Sequence, residues 1–323
     1  MNPSAAAAAG EAEARIPRTA ASVAGWIRRC LREEQPRSKS LIVTILGDSI
    51  VPCGSAIWLG DLIGLLEPFG VNERLARTST SRLAEEGWIE ARRDGRRSRY
   101  ALTPSGTARF EHAFQRIYAP PLEHWDGMWT QVVLLREDTG AQDRADLRRE
   151  LQWEGYGLLA PGIFLHPAAN LPALEEILDR LELRGRAVVL QGRAAGSPDA
   201  PNAAALADQC WALDACAQEY RRFLTRFEPL LRLLDAGEAL SPADAFVAQT
   251  LLIHAFRRVS LHDPRLPAPM LPSDWPGHAA YRVCRELYRR TEAATWRHLT
   301  ARVSGLAGSP GLGLAVFQHR FEA

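Results

Sequence analysis

NERLARTSTSRLAEEG (residues 72–87), followed at once by WIEARRDGRRSRYALT (residues 88–103), is the stretch that decides how this chain folds. The first half predicts a helix, with Asn72 as N-cap and Gly87 as its stop. Val71, Leu75, Ser79 and Leu83 recur at four-residue spacing and are expected to pack inward. The opposite face carries Arg74, Arg77, Thr78 and Ser81, with Arg82 at its border. Small residues between arginines suit a helix lying in a DNA major groove, where arginine reads guanine and hydroxyls touch bases or phosphates. Such a face also fits an ordinary solvated helix, so the second half carries the decision. It predicts a strand, an Asp94-Gly95 hairpin turn and a second strand. Arg92, Arg93, Arg96, Arg97 and Arg99 crowd the hairpin tip against one acid, Asp94. A hairpin directly after a helical unit is the winged helix-turn-helix layout, in which the wing contacts phosphates and orients the recognition helix.

Upstream, SKSLIVTILGD (38–48) is too densely apolar for a solvent-facing helix and is expected to be mostly buried. Pro52 and Gly54 break the chain. A second helical stretch, AIWLGDLIGLLEPFG (56–70), places Ile57, Trp58, Leu62, Leu65 and Leu66 on a buried stripe. Downstream, Thr103 and Pro104 open a helix running to Tyr118, and Pro120-Pro121 mark a boundary.

Beyond the boundary the pattern changes. MWTQVVLLRE reads as a buried strand, a charged helix covers about 143–154, and YGLLAPGIFLHP is a strand interrupted at Pro161-Gly162. LPALEEILDRLELRG is an amphipathic helix and AVVLQGRA closes as a strand. The alternation predicts a ferredoxin-like α/β sandwich. After a Gly/Pro/Ala-rich linker, residues from Ala205 to Gly237 read as one long helix, kinked at Pro229. Ser241-Pro242 starts another helix, a proline-studded loop follows, and a last helix begins near His278. The expected architecture is an α+β multidomain chain. It comprises a disordered leader (1–36), a winged helix-turn-helix (37–119), a ferredoxin-like centre (120–200), a mainly helical effector and dimerisation domain (201–302) and a tail (303–323).

Composition narrows the function classes. Net charge is +1, so DNA binding must rest on local arginine clusters and not on a global field. Five scattered cysteines (Cys30, Cys53, Cys210, Cys216, Cys284) without a Cys-x-x-Cys pair argue for a reducing compartment, and the eight dispersed histidines show no metal-ligand spacing. The alanine-rich start lacks the apolar core of a signal peptide, and the longest apolar run, Leu41–Leu46, is far short of a membrane span. A cytoplasmic protein with no cofactor and no catalytic set is expected.

Three separated blocks resemble the PaaX-type family, repressors of phenylacetic acid catabolism. They are RSKSLIVTILGD (37–48), AIWLGDLIGLLEPFGVNERLARTSTSRLAEEGWIEARRDGRRSRYALTPSG (56–106) and HAFRRVSLHDPRLPAPMLPSDWPGHAA (254–280). The resemblance extends from about Arg37 to about His298. It implies a dimeric cytoplasmic repressor on a palindromic operator, released by phenylacetyl-CoA. The DNA contacts that the resemblance implies fall on the helix from Asn72 and the wing around Gly95, the same segments that carry the arginine-rich faces. A CoA thioester needs arginines beside apolar walls, which makes His254, Arg257, Arg258 and Trp275 candidate effector residues, with Trp211, Arg221 and Arg222 as an alternative. Two other functions stay open: a relative answering to a different acyl-CoA or aromatic acid, and a metal-dependent nuclease. The middle domain is similar to small CRISPR-associated endonucleases, which use an acid near the end of the first strand. Glu137 and Asp138 occupy that neighbourhood without a supporting carboxylate cluster.

Overall fold

The computed structural model describes residues 22–51, 56–135, 139–194, 203–306 and 320–321. The fold begins earlier than its leader-like composition suggests. Helix α1 (Val23–Glu33) is capped by Ser22, whose hydroxyl accepts the Gly25 amide. Trp26 is fully buried, and its indole N–H donates to the Arg226 carbonyl at 2.9 Å. Residues 22–36 are therefore part of the folded body and not a disordered leader. Their docking partner lies two hundred residues downstream, where local patterning gives no signal.

Helix α2 (Ser38–Ile45) is buried as expected and runs into a π-helical turn, Leu46–Ile50. Ile57 and Trp58 are not on the following helix; they form strand β1 (Ala56–Trp58), and helix α3 (Leu59–Leu66) begins after them. The apolar run fits either period, and pairing with a strand forty residues on decides it. Helix α4 (Glu73–Glu85) is followed by strands β2 (Ile89–Asp94) and β3 (Arg97–Leu102), which join β1 in an antiparallel sheet of order β1-β3-β2. Asp94 pairs with Arg97, so the two turn residues are Gly95 and Arg96 and not Asp94-Gly95. Gly95 has φ +57° and Arg96 stays at negative φ, the type II′ pattern with glycine first.

Helix α5 (Pro104–Tyr118) leads to a second unit of strand β4 (Trp129–Leu134), helix α6 (Ala141–Trp153), strands β5 (Gly157–Ala160) and β6 (Ile163–His166), helix α7 (Leu171–Arg180) and strand β7 (Ala187–Gly192). Its antiparallel sheet has the order β5-β6-β4-β7, the ferredoxin-like arrangement predicted from the alternation. Val132, Leu134 and Phe164 pack with Leu147, Leu151 and Ile177 in a core of its own. The edge β5 is covered, since Cys210 and Trp211 lie over Gly157. Among the described residues nothing covers the edge β7: Val188, Val189 and Leu190 are 39%, 38% and 51% exposed. By contrast β1 has only three residues and β2 is charged, two ordinary ways of protecting a sheet edge.

The predicted long helix is two, α8 (Ala203–Cys210) and α9 (Leu213–Asp235). Trp211 breaks it by turning its indole N–H onto the Gly155 carbonyl at 2.8 Å. Helices α10 (Pro242–Ser260, N-cap Ser241) and α11 (Pro276–Arg302) pack on α9. These helices share one continuous core with α1–α5, so the first and last thirds of the chain bury apolar surface together.

That core encloses a polar knot at the π-helical turn. Asp48, 3% exposed, accepts the Tyr118 hydroxyl at 2.6 Å, the Tyr288 hydroxyl at 3.1 Å and the Gln249 amide at 3.0 Å. The guanidinium of Arg320 also donates to it. Arg320 and Phe321 are buried, so the tail left without a role contributes two residues to the centre of the fold.

Candidate nucleic-acid interface

Helix α4 is held at both ends by its own sequence. Asn72 Oδ1 accepts the Leu75 amide at 2.9 Å, and Gly87 at φ +71° lets the Trp88 amide reach back to the Leu83 carbonyl. The buried face is Ala76, Ser79, Thr80 and Leu83, with Val71 just before it. Leu75 is 44% exposed, a correction to the predicted inward stripe. A strict four-residue repeat advances about 40° per step on a helix of 3.6 residues per turn, so it drifts off any one face.

Arg74, Arg77, Thr78, Ser81 and Arg82 are all exposed, as are Arg92, Arg93, Arg96, Arg97 and Arg99 on the hairpin. Within this set Arg77 pairs with Glu73 at 2.7 Å, Arg92 with Glu90 at 2.9 Å, and Ser81 donates to Glu85 at 3.0 Å. Among the described residues, Arg74, Arg82, Arg93, Arg96, Arg97 and Arg99 have no carboxylate partner. The Thr103 hydroxyl ties the turn after α4 to the start of α5 by donating to the Gly87 carbonyl at 2.6 Å. Gly106 permits the close approach, since a Cβ there would lie 2.0 Å from the Trp88 carbonyl oxygen.

This segment, residues 37–106, matches the family described as PaaX-like protein. Residues 122–204 match the PaaX protein central Cas2-like domain, and residues 211–301 the PaaX-like protein C-terminal domain. The transcriptional repressor PaaX of Escherichia coli K12 is 36% identical over 285 residues, covering 87% of this chain and 89% of that one. The chain belongs to the PaaX family. Among solved structures, the uncharacterized protein Rv0674 from Mycobacterium tuberculosis is similar at 27% identity with a TM-score of 0.46, covering 73% of this chain and 90% of that one.

The four candidate effector residues of this PaaX-family chain do not share one pocket. His254 is buried, its Nδ1 2.9 Å from the Thr44 hydroxyl, and burial pushes its pKa down to about 4, with Arg257 and Arg258 adding to the shift. Arg258 pairs with Glu34 of the α1 region. Trp275 packs edge-on to Tyr220 at 6.0 Å and lines a small pocket of about 50 Å³. Only Arg257 reaches a large open cavity, about 1070 Å³, bordered by α2, α5, α6, α7 and α10. Of the alternative set, Trp211 caps β5, while Arg221 and Arg222 pair at the surface with Asp274 and Glu219. Sequence reasoning does not find this cavity, because its walls come from stretches scattered between Val43 and His262 that meet only in the fold. Glu137 and Asp138 lie outside the described residues. Among the described residues no cluster of three or more potential metal ligands forms, and no helix is long and apolar enough to cross a membrane.

Proposed function

We propose that this chain is a cytoplasmic, non-catalytic transcriptional repressor of a phenylacetate-catabolism operon. In this reading residues 37–119 are a winged helix-turn-helix, α4 enters the major groove, and the β2–β3 wing lies on the phosphate backbone. The observation that carries it is the set of six arginines on α4 and the hairpin that have no acidic partner among the described residues. Uncompensated guanidiniums held on short, capped elements are what a polyanion would neutralise. The likeness to the E. coli repressor supports the same assignment.

The operator would be palindromic and the protein a homodimer, with half-sites about 34 Å apart or a multiple of it. The bare edge of β7 supports self-association. Antiparallel pairing of two β7 strands centred on Val189 places Val188 opposite Leu190 and Arg186 opposite Gly192, so no like charges meet. Phenylacetyl-CoA is the proposed releasing effector, and by linkage the operator must weaken its binding by the same factor. A relative tuned to another acyl-CoA is the second reading, since none of the four candidate residues defines an acyl pocket.

Fluorescence anisotropy on the chain's own upstream DNA tests both readings, with separate titrations of phenylacetyl-CoA, phenylacetate and free CoA. Release by the thioester alone supports the first. Tight operator binding disturbed by none of the three favours the second, and no preference for upstream DNA over random duplex sinks the repressor assignment.

A further inference from the structure

The cavity between the modules offers a site that the candidate residues, taken singly, did not reveal. Its wall carries four arginines, and two of them are already satisfied: Arg149 pairs with Asp146 at 2.7 Å and Arg180 with Glu150 at 3.2 Å. The other two have no carboxylate among the described residues. Arg109 rests its guanidinium 4.8 Å above the Trp88 ring. Among the described residues Arg257 makes one hydrogen bond, at 3.3 Å to the Ser40 hydroxyl, and its buried Nε has no partner there. Desolvation pulls its pKa down to about 10, so it remains a cation at neutral pH in a place that penalises the charge. A buried, under-bonded guanidinium facing empty space is a receptor for an anion.

The same cavity has an unfilled aromatic wall. Trp153, the last residue of α6, is 41% exposed, with His112 nearly parallel to it at 6.3 Å and His262 edge-on at 6.4 Å. Trp88, Phe110 and Phe114 supply further apolar surface. An exposed indole between two imidazoles is a stacking surface for a flat ring. On the acidic side, Glu154 is screened by His112 at 3.4 Å, while Glu176 leaves the α7 end of the wall unsuited to an anion. The volume of about 1070 Å³ exceeds what a simple aryl carboxylate fills and leaves room for a larger ligand.

We infer that this interdomain cavity is the effector site, taking an aryl thioester of nucleotide size with its anionic part on Arg257 and Arg109 and a flat ring on Trp153. The inference rests on the effector-gated reading above. Its position explains how occupancy reaches DNA. Trp88 lies at once in the cavity wall and in the turn joining α4 to the wing, and α5 is latched to that turn through Thr103 and Gly87. A ligand that spreads α5 from α6 and α10 therefore moves the recognition helix and wing relative to the rest of the body.

Calorimetric titration of the full chain with phenylacetyl-CoA, free CoA and phenylacetate, without DNA, tests the assignment. Arg257→Gln is expected to weaken thioester binding at least about tenfold, equivalent to about 1.4 kcal/mol. Arg257→Lys should recover part of it, and Ala113→Trp, which fills the cavity, should abolish it. Should Ala113→Trp fail to fold by circular dichroism, Trp153→Ala takes its place, with an expected loss of about fivefold. If the wild type binds the thioester and these variants bind equally well, the site is elsewhere and the effector-gated reading survives. If the wild type binds none of the three probes at millimolar concentration, both fall together.

Discussion

Arg92 and Arg99 stand directly opposite each other in the β2–β3 ladder, two guanidiniums on one face of a narrow ribbon. Like charges so placed disfavour the pair by a few tenths of a kcal/mol to about 1 kcal/mol. Glu90, at 2.9 Å, relieves Arg92 alone. The free protein thus holds its wing in an arrangement that an external polyanion would stabilise. Arg99→Thr should therefore raise the melting temperature of the free chain slightly while weakening binding to every duplex. The paired readout is a thermal melt and a salt titration, whose slope should fall by about 0.9 for each phosphate that the variant no longer neutralises. A lower melting temperature with unchanged DNA affinity would contradict the arrangement.

The helix and the wing should fail differently. Replacing Arg96 and Arg97 with Ala is expected to weaken all DNA binding and reduce the salt slope. Arg77→Ala or Ser81→Ala should instead narrow the gap between operator and random DNA, by about 1–3 kcal/mol if the side chain reads a base. Arg77 is tied to Glu73 in the free chain, so Glu73→Gln should release it and tighten binding. Competition anisotropy over a set of operator variants at fixed salt separates the two behaviours.

Gly47 is a packing requirement. A Cβ there would lie 2.4 Å from the Phe110 ring, so the π-helical turn after α2 can pack on α5 only because the side chain is missing. Gly47→Ala should cost about 1–3 kcal/mol in urea unfolding, and Phe110→Leu in the same chain should recover part of it. Absence of any recovery would show that the clash is relieved by another route.

Two buried histidines predict acid sensitivity. Burial lowers His166 and His254 from 6.5 to about 4, with Arg116 adding to the shift at His166 and Arg257 at His254. Both folded values lie below the unfolded ones, so the fold favours the neutral rings. Their contribution is complete above about pH 6.5 and is lost as the pH falls from there towards 4. Between pH 7.5 and 5 each should remove about 2 kcal/mol, read as a drop in urea midpoint. The drop should halve in His254→Gln relative to its own value at pH 7.5.

Self-association through β7 would be abolished by charging its bare edge. Val188→Glu with Leu190→Glu should give a monomer by light scattering, with the far-ultraviolet circular dichroism retained. A variant that stays dimeric places the interface elsewhere.

Much of the segment from Asn72 to Thr103 was legible because its determinants are local. Asn72, Gly87 and the glycine of the hairpin each act within a few residues, and exposed arginines betray themselves by number. The ferredoxin-like order was legible for the same reason, from runs of Val and Leu alternating with amphipathic helix. Errors arose where a distant partner decides. Trp26 looks like part of a polar leader until Arg226 and Phe227 meet it, and Ile57 and Trp58 look helical until Tyr100 and Arg99 pair with them. The cavity was invisible for the same reason: Trp88, Trp153 and Arg257 are scattered in sequence and meet only in the fold.

The burial of Arg320 against Asp48 ties together two parts of the chain that lie 272 residues apart. Asp48 sits in the π-helical turn after α2, where two tyrosine hydroxyls and one side-chain amide also donate to it. Without the guanidinium those neutral donors would be left to hold a buried carboxylate, which is strongly destabilising. Loss of the side chain at 320 would therefore be felt at the base of the N-terminal helices and not locally.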